Sequence, residues 1–363
     1  METAGVRVGA LRLFPKAAVT LVHDSNVFAS NLARDAAVLT ISEAQLHVRN
    51  DPGVFALSGE GFVRDRQYTQ LHDQDTTEYG ATAAATSSID ARNELTARVA
   101  AQRRFESRIE IETPEGRDVS LYDEWRGEIG YLHAFNRLAL RSTVLARRLE
   151  YQEDGQGFRD RSFYRGELRA AYDYRDGVSL VATGLYAEDD YRLSSPLVAS
   201  ARTGSALLGV HIDIPEILDV DLSGGYFRRA TAQQPDDMSG LSIRAGVSWN
   251  PTRLTTVRAR VLREDAPTRI VGAYGKLRTN GEIGVDHAYS SAIDLHLRAR
   301  WIRDDFDVIR RTDDSFLTEL GATWSLSRQV AIVTRYDYAG RHAGFAGNDF
   351  DRHLLSVSLH GYL

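Results

Sequence analysis

The chain of 363 residues contains no cysteine, which removes disulfide frameworks, thiolate metal sites and cysteine nucleophiles together. It also lacks long apolar runs. No segment approaches the roughly 18 consecutive apolar residues that a membrane-spanning helix needs. That excludes a helical membrane protein but not a membrane β-barrel, whose strands are apolar on one face only. An excess of basic charge is missing too: the net charge is -6 at pH 7, against the basic stripe of a nucleic-acid binder. The opening residues Met1-Glu2-Thr3-Ala4-Gly5 lack the basic and apolar regions of a signal peptide. The expectation is that Met1 is a start placed before a mature sequence whose signal has been removed.

What is present is a beat of about forty residues. Turn signals recur at Asn50-Asp51-Pro52-Gly53, Asp90-Ala91-Arg92-Asn93, Asn136-Arg137, Asp176-Gly177, Pro215-Glu216, Asn250-Pro251-Thr252, Ser290-Ser291 and Ser327-Arg328-Gln329. Such short turns join adjacent antiparallel strands. Out of phase with them lie longer polar stretches, near 24–36, 65–77, 107–118, 152–161, 188–202, 229–239, 264–269, 303–314 and 340–350. Eight short turns and nine long loops make seventeen connections, and seventeen connections join eighteen strands. A propeller also repeats at roughly 40 residues but needs four short strands in each repeat. Here each repeat has room for two long ones.

Within the repeats apolar and polar residues alternate. Ile293-Asp294-Leu295-His296-Leu297-Arg298-Ala299-Arg300-Trp301 places Ile, Leu, Leu, Ala and Trp on one face of a strand. Leu241 to Trp249, Leu208 to Ile214, Leu218 to Ser223, Val257 to Val261 and Leu320 to Leu326 read in the same way. The polar face is densely charged. Trp249, Trp301, Trp324, Tyr226, Tyr336 and Tyr338 lie in step with apolar positions. There they serve as an interfacial aromatic girdle or simply as strand formers. Lipid offers backbone groups no partner, so the sheet must close on itself. The C-terminal strand ends at Tyr362-Leu363, and the first is expected over Pro15 to His23. This predicts an all-β fold, a closed antiparallel transmembrane barrel of eighteen strands with short periplasmic turns and longer extracellular loops. Residues 1–14 would be a periplasmic lead-in and 15–363 a single barrel.

The segment from Leu13 to Phe28, with Pro15 in the strand and His23-Asp24-Ser25-Asn26-Val27-Phe28 after it, resembles the opening of the outer-membrane β-barrel porins of the second type. His23 stands where that family usually has an aromatic. The terminal Leu363 departs from the aromatic end common in such barrels. The resemblance implies the outer membrane of a Gram-negative bacterium. It also implies a polysaccharide-related conduit, because such genes often sit beside exopolysaccharide or capsule secretion genes.

Enzyme chemistry finds no motif: there is no nucleophile elbow, no His-Glu-x-x-His and no phosphate loop. No catalytic residue, metal or cofactor is expected. The expected inward set is acidic at Asp213, Asp219 and Asp221, and basic at Arg244, Arg258, Arg260, Arg298 and Arg300, with Asp294 and His296 beside them. These charges either set solute preference or pair across strands and brace the wall. Three functions stand in order: a conduit in polysaccharide or capsule export with periplasmic secretion partners, a diffusion porin for small solutes, and a structural or adhesion barrel with a blocked lumen. Outer-membrane lipid is the expected surrounding, with no nucleic-acid partner.

Overall fold

The computed structural model describes residues 5–32, 34–51, 53, 55–109, 119–193, 195, 198–231, 237–270, 272–344 and 349–363. Among these there is no α-helix. A short strand β1 (Val6–Val8) precedes eighteen long ones: β2 (Leu11–Asp24), β3 (Ala37–Asn50), β4 (Phe55–Tyr68), β5 (Thr76–Ser88), β6 (Asn93–Phe105), β7 (Leu121–Ala134), β8 (Leu138–Tyr151), β9 (Arg161–Arg175), β10 (Val178–Tyr191), β11 (Ala201–Ile214), β12 (Leu218–Thr231), β13 (Met238–Thr252), β14 (Thr255–Ala266), β15 (Lys276–Ala288), β16 (Ile293–Phe306), β17 (Thr312–Ser325), β18 (Val330–Ala343) and β19 (Phe350–Tyr362). Each of β2–β19 pairs antiparallel with its sequence neighbours. The circle closes where β19 pairs with β2, from Leu354 opposite Asp24 to Tyr362 opposite Lys16. Closure gives every long strand two partners, which a bilayer requires of any sheet that crosses it.

The eight short connections fall at the eight marked turns, and the nine long stretches are the loops at the other end. Pro52 and, within the long stretches, residues 33, 110–118, 194, 196–197, 232–236 and 345–348 lie outside the described residues. Local chemistry explains why the chain turns where it does. Gly177 takes φ +71, and a Cβ there would stand 2.6 Å from the Asp213 carbonyl oxygen. At the second turn the Asp90 carboxylate accepts from the backbone N–H groups of Arg92 at 2.7 Å and Asn93 at 2.9 Å. These bonds hold the Asp90 carboxyl below its ordinary range.

The first strand differs from expectation. It starts at Leu11 and not at Pro15, and residues 6–13 are not a separate lead-in, because Val6–Val8 folds back antiparallel onto Leu11–Leu13. Proline lacks a ladder donor and so reads as a strand start. Here Pro15 stands between the last residue paired with β19, Lys16, and the first paired with β1, Leu13. A missing donor costs little at such a handover.

The motif after Pro15 clasps the seam. Asp24 is fully buried and ion-pairs with Arg352 of β19. Asn26 donates to the Asp351 carbonyl at 2.9 Å, and the Ser25 N–H donates to the His353 carbonyl at 3.0 Å. Val27 packs with Val22, Ala37, Leu39 and Tyr68. The segment that carries the family resemblance therefore joins the first strand to the last.

Candidate functional site: the lumen and its cationic wall

Alternation along the strands decides which side chains point inward. On β2 the residues Lys16, Ala18, Thr20, Val22 and Asp24 line an internal cavity of about 780 Å³, while Val19 and Leu21 are exposed on the outer face. The cavity is bounded by β2–β4, by β15–β19 and by the end of β6. Its lining carries seven cationic side chains (Lys16, Arg64, Arg66, Arg298, Arg300, Arg335 and Arg352) against five carboxylates (Asp24, Glu43, Glu282, Glu319 and Asp337).

Most of these cations are tied to a neighbour. Arg64 meets Glu43 at 2.7 Å, and Arg66 meets Glu78 at 2.7 Å. Glu319 is shared by Arg298 at 3.4 Å, Arg335 at 3.5 Å and His296 at 3.6 Å. Two are not neutralised. Arg300 donates from Nε to the neutral Asn280 amide oxygen at 2.9 Å, and Lys16 lies over the Tyr362 ring, 5.9 Å from its centroid. Among the described residues neither has a carboxylate partner.

Of the ten inward charges expected from sequence, the structure gathers only some. Arg298 and Arg300 line the cavity. His296 lies beside it on Glu319. Arg258 is bound to Asp286, and Arg260, on the same strand, is exposed. Arg244 reaches back to Glu167 of β9 at 3.1 Å, four strands away around the ring. Asp221 is paired with Arg169, and His211 stands near both Asp219 and Asp221. Asp213 pairs in register with Asp219, and Asp294 with Thr323. Sequence reasoning missed Lys16, Arg64, Arg66, Arg335 and Arg352. Their strands alternate as cleanly as the others, but only ring closure brings the first three strands beside the last four.

The inner face of β10–β13 is different. Val181, Thr183, Leu207, Ser223, Phe227 and Ser242 are all buried. At the long-loop end Arg229 bridges Asp265 at 2.9 Å and Asp189 at 3.6 Å, and Thr203 donates to Asp265 at 2.6 Å. The strands approach closely here. A Cβ on Gly225 would overlap the Ala206 carbonyl oxygen and one on Gly209 that of Leu222, so these glycines mark close backbone contact without a bulge.

Loops cross the long-loop mouth. Glu106, just beyond β6, pairs with Arg159 from the β8–β9 loop. It also stands 4.0 Å from Arg269 of the β14–β15 loop, about half the ring away. Ile109 packs on Ala29, Ala339 and Phe350 against the far wall. The aromatics lie outside: Trp249 and Trp324 near the short-turn ends of β13 and β17, Tyr336 at mid-strand, Tyr226 and Trp301 nearer the long loops. Polar edges find partners, Trp301 Nε1 on Asp314 at 3.0 Å and the Tyr226 hydroxyl on Ser239 at 2.6 Å.

A closed antiparallel barrel of long strands with an apolar exterior and a charged interior is a β-barrel of the Gram-negative outer membrane. The chain belongs to the family described as "Putative beta-barrel porin 2", whose model matches residues 1–361. Solved structures agree in fold. The OpdK protein of Pseudomonas aeruginosa, in its structure with vanillate, has 11% identity and a TM-score of 0.51 over 97% of this chain and 99% of that one. OccK5 (OpdH) of the same organism has 13% identity and a TM-score of 0.51, over 97% and 98%. OpdL has 11% identity and a TM-score of 0.50, over 98% and 100%. At such identity the likeness carries the fold alone. No curated protein matches the sequence.

Proposed function

We propose that the protein is a passive diffusion porin for small anionic solutes, with the path running along the β16–β4 side of the lumen. The observation that carries this reading is the excess of cations, seven against five, around that cavity, with Lys16 and Arg300 free of carboxylate partners among the described residues. Charges on a pore wall bias which ions enter, and a low-dielectric wall strengthens the bias. Barrels of this strand number are wide enough for an aqueous channel when loops leave room. Trp249 and Trp324 then hold the wall at the short-turn interface and Trp301 and Tyr226 toward the long-loop one, while Tyr336 lies between them.

Export of a polysaccharide, the role implied by the family resemblance, is less well supported. Ion pairs of Glu106 with loops from two other sides cross the mouth, which suits a small solute better than a polymer. Neither the family description nor the similar structures name a polysaccharide or a secretion partner. The diffusion reading is tested by reversal potential in planar bilayers under a salt gradient. The expected result is anion preference that weakens as salt rises, since screening shortens its reach. A Lys16→Ala, Arg300→Ala double variant should lose much of it. Cation preference, or no conductance, would sink the reading.

A further inference from the structure

The outer wall is not uniform. On β16–β19 its lipid-facing positions are large, as at Leu297, Leu320 and Leu355. On β9–β13 an apolar groove of about 920 Å³ runs along the outside, floored by Gly184, Ala206 and Gly224 and walled by Leu208, Tyr226 and Leu241. At Gly184 and Gly224 a Cβ would meet nothing within 4 Å, so neither backbone geometry nor crowding calls for glycine there.

Toward the long loops, on the same outer faces of β11 and β12, stand Arg202 and Arg228. They are among the most exposed arginines of the barrel wall, with side chains 69% and 75% accessible. Arg228 pairs in register with Gly204, two residues from Arg202 on the neighbouring strand. Each is held through Nε by one carboxylate, Arg202 by Glu188 at 3.0 Å and Arg228 by Asp237. Among the described residues their terminal nitrogens donate to nothing. Two other outward arginines at this level differ. Arg103 on Asp123 and Arg303 on Asp314 give both Nε and a terminal nitrogen to a single carboxylate.

We propose that this groove is a binding site for an outer-leaflet lipid with a phosphorylated headgroup, its acyl chains in the groove and its phosphate on Arg202 and Arg228. An ordered guanidinium with open terminal nitrogens suits a phosphate, which accepts two parallel N–H bonds. Acyl chains fill a groove that β-strand side chains leave empty, and gain the dispersion contacts its walls offer. The arginines stand at the loop end of the groove, as the headgroup of a lipid stands above its chains. A second copy of the chain is a poorer occupant. An isologous contact centred here would bring the arginines of both copies into one desolvated patch. The site depends on the outer-membrane location and not on which solute passes through the lumen.

The test uses the full chain in nanodiscs of phosphatidylcholine, with lipid A as probe and dephosphorylated lipid A as control, read by native mass spectrometry and titration. An Arg202→Gln, Arg228→Gln pair should weaken lipid A binding by about tenfold and leave the control unchanged. A Gly184→Leu, Gly224→Leu pair fills the groove and should weaken binding of both. Equal affinity of lipid A for wild type and the arginine pair would overturn the proposal, as would equal wild-type affinity for the two lipids. So would a leucine pair that turns an oligomer into monomers without changing lipid affinity, since the groove would then be a contact between copies. If the leucine pair fails to insert, the arginine pair, which lies on the exposed rim, decides alone.

Discussion

Two parts of one barrel wall, β10–β13 and β16–β4, obey the same period-two alternation and end with opposite interiors. On β10–β13 the inward side chains from mid-strand to the loop end are buried, Leu207 and Phe227 almost completely, and Arg229 ion-pairs there with Asp189 and Asp265. On β16–β4 the inward side chains line an internal cavity, some of them buried at its loop end as Val22 and Leu39 are, and carry a surplus of cations. Alternation fixes which way a residue points. Whether its neighbours leave room for water depends on loops and on strands distant in sequence.

The largest effect that separates the two walls is on stability. Phe227→Ala should cost about 3–5 kcal/mol, because the packed wall cannot collapse into the space of a lost ring. It is read from the denaturant midpoint of unfolding from lipid vesicles. Arg298→Ala on the open wall should cost no more than about 1 kcal/mol. Its side chain is half exposed and shares Glu319 with two other groups. Similar losses at both positions would erase the distinction between the walls.

A smaller effect belongs to the turns, which should respond to pH independently of either wall. The Asp90 carboxyl is held below its ordinary value of 3.8, chiefly by the Arg92 backbone N–H and then by the Asn93 side chain. A carboxyl depressed by folding adds stability above its unfolded value, and that part is lost as pH falls through the folded one. Any stability difference between wild type and Asp90→Ala should therefore be present at neutral pH and fade below pH 3.8. A difference that persists in strong acid would assign the turn to backbone geometry alone.

The strand count, the eight turns and the nine loops are all legible in the sequence, because each rests on local chemistry: turn residues, charge clusters and alternation. The start of the first strand is not, since Pro15 reads as a boundary while Leu11–Leu13 is held by a fold-back from Val6–Val8. The cationic wall is legible only in part. Arg298 and Arg300 belong to it, but Arg244 is spent on Glu167 and Arg258 on Asp286. Lys16 and Arg335 join from opposite ends of the chain, and nothing short of closure reveals their proximity. The loop residue Glu106 gives no sequence signal of its reach to Arg269.

In the proposed diffusion path water and solute pass along β16–β4 and not along β10–β13. Because the chain has no cysteine, one introduced thiol is a unique target. Gln45 lines the cavity, while Ser242 is an inward residue of β13 that is 3% exposed. The direct measurement is current through Gln45→Cys and Ser242→Cys barrels in planar bilayers while a bulky, water-soluble maleimide is added. A stepwise fall in conductance is expected for Gln45→Cys, with none for Ser242→Cys. Block of both alike, or block through Ser242→Cys alone, would contradict the account.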